Sequence, residues 1–352
     1  MASYRSFAFE LACVSFLFSS CMLDNRQSHT ERVDDIMKEY ADTSAPGASV
    51  LVMVDDSVVF AKGYGLADIE GREPVTTATN FRLASVTKQF TAMGILMLMK
   101  AGRLRLDDSL EHYFPDFPTY ARGIRIRHLL THTSGLVDYE DLIPDTWQRQ
   151  VLDQDCLNLM HHTDSLYFPP GSAYRYSNTG YALLALITQQ LSGKSFPVFL
   201  QDSIFSPLGM ETTLARVDEG PSVPHRAFGH SRAAVGWVKT DQSQTSAVLG
   251  DGGIYSNPSE LATWVRALWQ HRLIGKSWQD SAWTKASLND GTLVDYGFGW
   301  HLDGGYPHHD GSTKGFRNHV LVFPEKRIFV AVLTNRDEGR PRELAERIVK
   351  LY

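Results

Sequence analysis

Short apolar runs at Ala48–Val54 and Ser57–Tyr64 predict two strands, and Asp55-Asp56 between them predicts a hairpin turn. Upstream, His29–Tyr40 has the pattern of a helix. A long apolar run, Val86–Lys100, predicts another, with Gly102 as its carboxy-terminal cap. Gly63, Gly65 and Gly71 punctuate the chain between hairpin and helix. From about Asp107 to Arg226 the character changes: Pro115, Pro118, Pro144 and Pro169-Pro170 mark loops, and Ile126–His132 and Thr179–Leu191 are helical patches. Strands return at Gly297–Trp300, Val320–Phe323 and Ile328–Thr334, and Pro341–Leu351 predicts a closing helix. Strands at both ends with helices between imply an α+β fold. One antiparallel sheet is built from amino- and carboxy-terminal segments and flanked by helices, with a mostly helical subdomain inserted over about residues 107–226. No internal repeat or low-complexity tract interrupts this plan.

Length changes the picture little: 352 residues suffice for one large domain or two intimate ones. A hydrophobic content of 43% with 21% charged residues is that of a globular protein. The net charge of -6 and the lack of a basic block argue against a nucleic-acid partner. At the amino terminus, Arg5, the apolar Leu11–Phe18 and Ser19-Ser20-Cys21 resemble a signal peptide ending in a lipoprotein cleavage site. Residues 1–21 are therefore expected to be a leader, with a lipid anchor at Cys21 and an exported, periplasmic product. Glu10 and Phe18 depart from that pattern, and a frayed terminus on a cytoplasmic chain is the competing reading. Cys13, Cys21 and Cys156 make no disulfide framework, and Cys156 reads as packing.

Candidate chemistry begins at Ser85-Val86-Thr87-Lys88. On a helix, positions i and i+3 share a face, so hydroxyl and amine meet. At a helix start, free N–H groups and the dipole favour developing negative charge. This is a way to activate a serine without a histidine. The bland alternative is a capping serine followed by an exposed lysine. Tyr176-Ser177-Asn178 supplies a phenol that relays protons and an amide that orients a lysine or a carbonyl. Tyr255-Ser256-Asn257 has the same spacing, and spacing alone does not separate them. A third motif, His309-Asp310-Gly311, runs into Ser312-Thr313-Lys314-Gly315-Phe316; its glycines would let a substrate lie against backbone, or it is a polar loop.

Taken together, FRLASVTK (Phe81–Lys88), HLLTHTSGL (His128–Leu136), FPPGSAYRYSNTGY (Phe168–Tyr181), GDGGIYS (Gly250–Ser256), YGFGW (Tyr296–Trp300) and HDGSTKGF (His309–Phe316) resemble the serine β-lactamase and penicillin-recognising superfamily, in its class C β-lactamase, DD-peptidase and esterase branch. The resemblance runs from about Tyr40 to Asn335 and implies a β-lactamase-like catalytic domain over residues 30–352. It implies that Ser85 is the acylated nucleophile, Lys88 and Tyr176 the proton-handling pair, and Asn178 their positioning amide. Tyr176 is preferred to Tyr255 because the latter falls in a different family segment. The N–H groups of Ser85 and Ser312 would form the oxyanion hole, with His309 and Gly311 beside the substrate. It implies neither cofactor nor metal.

An ordinary lysine titrates near about 10.4 and a tyrosine near about 10, so neither is a base at pH 7 unless perturbed. A coupled pair is expected rather than a lone base. Many family members carry Lys-Thr-Gly where this chain has His309-Asp310-Gly311. A neutral imidazole beside an aspartate holds a substrate carboxylate poorly, although Lys314 is near in sequence. The expected function is therefore an esterase, amidase or D-residue peptidase acting on a small molecule or peptide. β-Lactamase or DD-carboxypeptidase is the alternative, and a non-catalytic receptor or cell-wall binding module the rival from another class. His128 and His132, four apart, lack a third ligand for a metal. Met93, Met97 and Met99 read as core, as do Trp283, Trp300 and Phe316.

Overall fold

The computed structural model describes residues 28–217 and 220–352; the leader assigned to residues 1–21, with Cys13 and Cys21, lies outside them. The elements that frame the molecule are α1 (His29–Ile36), β1 (Ala48–Val54), β2 (Ser57–Tyr64), α2 (Lys88–Lys100), α3 (Asn178–Ser192), α4 (Pro258–Trp269), β3 (His308–Thr313), β4 (Phe316–Phe323), β5 (Ile328–Thr334) and α5 (Pro341–Val349). Five strands form one antiparallel sheet in the order β3-β4-β5-β1-β2. The chain ends thus meet at the centre, where Ala48–Val54 pairs with Ile328–Thr334. Most helices of the middle stretch, α3 among them, lie outside this sheet. None of the described helices is long and apolar enough to cross a membrane.

Both faces of the central strands are buried, which explains their unbroken apolar runs. Val50, Val52, Val330 and Val332 face α1 and α5, packing with Val33, Leu344 and Ile348. Leu51, Met53, Phe329, Ala331 and Leu333 face the main core with α2, α3 and α4. The hairpin turn forms as expected, with Asp55 and Asp56 both at positive φ (47° and 66°), the backbone a two-residue turn requires. Gly102 ends the first turn after α2 at φ +69°. Helix α2 is buried almost all round, Met93 included, and Trp264 of α4 donates its indole N–H to Gln89. Cys156 is a buried free thiol, and Trp300 and Phe316 are buried.

Two segments depart from the expected pattern. Gly297–Trp300 is a loop, not a strand. Its glycines pass too close to neighbouring backbone for a ladder: a Cβ on Gly297 would lie 2.2 Å from the Ala282 carbonyl oxygen, and one on Gly299 2.6 Å from that of Lys88. Conversely, the polar His308–Thr313 forms the edge strand β3. Pairing with β4, not hydrophobicity, makes it a strand. Strand β4 itself begins at Phe316, ahead of the expected Val320.

Candidate active site

Ser85 lies in a 3₁₀ turn, Ala84–Thr87, that leads directly into α2. Leu83 donates to the Ile254 carbonyl at 2.8 Å, so the turn hangs from the small sheet of Phe81–Arg82, Ile254–Ser256 and Leu214–Ala215. Ala84 is held at φ +51°. That left-handed backbone is costly for a residue with a Cβ, and such strain concentrates at functional positions. Strand β3 presses on the same turn: a Cβ on Gly311 would stand 2.1 Å from the Leu83 carbonyl oxygen. Gly311 therefore permits contact between backbones, rather than room for a substrate.

Lys88 is fully buried one turn on. Its Nζ donates to Ser85 Oγ at 3.1 Å, Asn178 Oδ1 at 2.8 Å and the Asp251 carbonyl at 3.0 Å. Of these three, only the serine hydroxyl can also donate. When Lys88 loses a proton, its two remaining N–H groups stay on the amide and the carbonyl. The lone pair then faces Ser85. Burial lowers the lysine to about 8, while Asp251, Asp138 and Glu140 hold it from falling further.

Asn178 opens α3 and is fixed at each polar atom: its backbone N–H donates to Asp138 Oδ2 at 2.7 Å, and Nδ2 reaches Glu140 Oε1 at 3.4 Å. The Tyr176 ring lies 4.9 Å from Lys88 Nζ. Its hydroxyl is buried without a well-formed hydrogen bond. Burial pushes the phenol far above its ordinary range, and nearby Ser85 only moderates that. Tyr176 is thus a neutral phenol at pH 7. The competing Tyr255-Ser256-Asn257 begins on the small sheet beside the turn, but its side chains have other partners. Tyr255 accepts from Arg226 and Gln242, and Asn257 caps α4 through the Glu260 N–H.

His309 departs from its expected place against substrate. It is buried, and both ring nitrogens are engaged. Nδ1 donates to the Asp310 carbonyl at 2.7 Å, and Nε2 accepts from the Tyr296 hydroxyl at 2.9 Å. A carbonyl only accepts, so the tautomer is fixed. Burial, then His301 and Lys88, hold the ring neutral. Lys314 is exposed on the β3–β4 turn and does not line the cavity at Ser85.

Several participants carried no role in the sequence. Asp251 is buried, accepts from the Tyr139 hydroxyl at 2.9 Å, and is raised by burial to about 7 despite Lys88. Its signal was a lone acid among the glycines of GDGGIYS. Asp153 holds that segment by accepting from the N–H groups of Leu249 and Gly250, each at 2.9 Å. His132 sits at φ +57° with its ring 4.1 Å from that of Tyr176, whereas His128 accepts from the Arg125 N–H and takes no part. A cavity of about 50 Å³ opens at Ser85, lined among others by Glu140, Asn178, Asp251, Ser312 and Thr313. Arg82 and Asp251 in its wall are buried, leaving Glu140 the exposed ionisable side chain of this lining.

A family model described as Beta-lactamase matches residues 33–352. The chain belongs to the Beta-lactamase family. A penicillin-binding protein of Bacillus subtilis (strain 168) is 33% identical over 345 residues, which is 92% of this chain and 75% of that protein. A D-aminopeptidase of Gluconobacter oxydans (strain 621H) is 29% identical over 304 residues, covering 82% of this chain but only 56% of that protein. Among solved structures, D-amino acid amidase from Ochrobactrum anthropi SV3, complexed with L-phenylalanine amide, superposes with a TM-score of 0.78 at 25% identity, over 91% of this chain and 97% of that one. This Beta-lactamase-family protein is accordingly a serine hydrolase that acts on an ester or amide through an acyl-enzyme.

Proposed function

We propose that this hydrolase cleaves amides or short peptides that carry a free α-ammonium group, with Ser85 as nucleophile and Lys88 as base. The observation that carries the substrate class is the charge of the cleft. Its exposed ionisable lining group is Glu140, with Asp138 behind it; burial, then Asp138 and Asp251, raise the Glu140 carboxyl to about 7, so a cation seated beside it favours the ionised form. A cationic substrate end is favoured there, and a β-lactam or terminal carboxylate finds no exposed cation in the lining. The relatives named D-aminopeptidase and D-amino acid amidase support the same class and a D-configured first residue.

In the first step neutral Lys88 takes the Ser85 proton as Oγ bonds to the substrate carbonyl carbon. The N–H groups of Ser85 and Ser312 receive the oxyanion; one such donor is worth about 10²–10³ in rate. The C–N bond then breaks, and Tyr176 passes a proton to the departing amine, regaining one from Lys88. Water attacks the acyl-enzyme by the same route and restores Ser85. Asn178 positions Lys88 throughout, and His309 and His132 position the Tyr176 ring. Arg5, Leu11–Phe18 and Ser19-Ser20-Cys21 support export with lipid attachment at Cys21, to be checked by the mass of the mature amino terminus.

The test compares D-phenylalanine amide with its N-acetyl derivative, nitrocefin and a p-nitrophenyl ester, alongside fluorophosphonate labelling. Wild type is expected to be labelled, Ser85→Ala not. The free amine should be preferred, and Glu140→Gln should raise its KM about tenfold, the worth of about 1.4 kcal/mol. Equal turnover of the acetylated amide, or faster turnover of nitrocefin, would overturn the substrate class. Labelling that survives in Ser85→Ala would overturn the nucleophile.

A further inference from the structure

Behind the active site, on the other face of β3, lies a cluster that the hydrolytic reaction does not use. His308 and Asp310 are alternate residues of β3 and so share a face. His319 of β4 stands directly opposite Asp310 in the ladder. His309, between the two, points instead toward Tyr296 and Tyr176. His308 and His319 have no exposed surface, and their ring centroids are 5.5 Å apart. One ligand atom from each of His308, Asp310 and His319 lies within 4.8 Å of the others.

We propose that His308, Asp310 and His319 bind a divalent transition-metal ion of the zinc class. Each imidazole has one nitrogen on a carboxylate: His308 Nε2 on Asp303 Oδ1 at 2.8 Å, and His319 Nδ1 on Asp310 Oδ1 at 2.8 Å. The other nitrogen of each, His308 Nδ1 and His319 Nε2, is buried with no partner. A buried polar atom without a partner calls for a ligand. At His308, Asp303 behind the ring is the arrangement that orients a histidine on a metal, with Nδ1 free for the ion; at His319 the ion takes the place of the proton between Nδ1 and Asp310 Oδ1, so both of those atoms ligate it. Two nitrogens and a carboxylate oxygen suit zinc, with water as fourth ligand. Tetrahedral ligands about 2.0–2.1 Å from zinc stand about 3.4 Å apart, so the 2.8 Å pair of Asp310 and His319 opens slightly and His308 closes in, movements within reach of side-chain rotation. Arg342 of α5 donates to Asp303 Oδ2 at 2.9 Å and stands 3.6 Å from Asp310 Oδ2, so it balances these two carboxylates when no ion is bound. Asp310 reaches a groove of about 490 Å³ between β3 and α5, the path by which the ion enters. The bound ion ties the sheet's edge strand to β4 on the face opposite the catalytic turn.

The test uses the full chain, stripped with chelator, in equilibrium dialysis against Zn²⁺, with Co²⁺ absorption to report nitrogen ligands. One Zn²⁺ per chain is expected, with a rise in Tm. His308→Gln and His319→Gln should each weaken binding at least about tenfold, and Asp303→Asn, which keeps both imidazoles, by about 10–100-fold. Circular dichroism checks that each variant is folded; Asp303→Asn carries the test if a histidine variant is not. Three outcomes overturn the site: no stoichiometric binding at millimolar Zn²⁺; binding unchanged in folded variants; or binding lost instead in His161→Gln/His162→Gln, whose exposed histidines lie far along the chain.

Discussion

At Lys88, burial and negative charge pull in opposite directions, and in the proposed mechanism the balance sets the working pH. Burial favours the neutral amine; Asp251, Asp138 and Glu140 favour the ammonium. With the lysine at about 8, the base is mostly protonated at neutral pH. The kcat/KM of wild type should therefore fall as pH drops below about 8, about tenfold per unit for one proton. Asp251→Asn removes a charge that stabilises the ammonium. The acid limb should then move down by about one unit or more, seen in a pH–rate profile of the folded variant. A limb that stays in place, or moves up, would remove Asp251 from this role. Tyr176, pushed upward by burial, should contribute no acid limb of its own.

At the scale of elements, two close backbone approaches hold the catalytic turn and the start of α2, β3 at Gly311 and the YGFGW loop at Gly299, and a third seats the Gly250 turn on α3, where a Cβ would lie 2.3 Å from the Tyr181 carbonyl oxygen. Gly299→Ala and Gly311→Ala should each cost about 1–3 kcal/mol by overpacking, read by thermal unfolding. They should also slow acylation of Ser85 about 10²-fold, because the turn shifts against its partners. Gly102→Ala is the comparison: φ is +69° there, but nothing lies within 4 Å. It should lose about 1–2 kcal/mol of stability with the labelling rate intact. Equal rate losses in all three would argue against a specific approach. Elements with a strong apolar pattern were legible in advance: Ile328–Thr334 and Ala48–Val54 match to the residue. The YGFGW loop and β3 were not, because their conformations follow from neighbours rather than from their own side chains.

For the whole molecule, the sheet order pairs Ala48–Val54 with Ile328–Thr334 and makes the carboxy-terminal helix that covers them structural. Helix α5 covers one face through Leu344, Ala345 and Ile348. Burying Leu344 and Ile348 is worth about 3–6 kcal/mol together, a large part of the usual 5–15 kcal/mol of a domain. A chain ending before Pro341 should be insoluble, or show a sharply lowered Tm, and lose fluorophosphonate labelling although no residue around Ser85 is touched. Soluble, labelled protein from that truncation would show that the second core is dispensable. The site itself draws on α2, the start of α3, the Gly250–Gly253 turn and β3, joined through the main core.

The sequence alone set Ser85 beside Lys88 and announced the apolar strands of the central sheet. Ser85 and Lys88 are one helical turn apart, so local geometry brings them together whatever the rest of the chain does. Apolar strands buried on both faces likewise announce themselves by composition. The tertiary structure decided everything that depends on distance in space. It separated Tyr176 from Tyr255, brought Asp251 to Lys88 from 163 residues away, turned His309 inward onto Tyr296 and left Lys314 on a turn. The reason is physical: a side chain's burial, charge and hydrogen-bond partners belong to its neighbours in three dimensions, and those fix its protonation and its role.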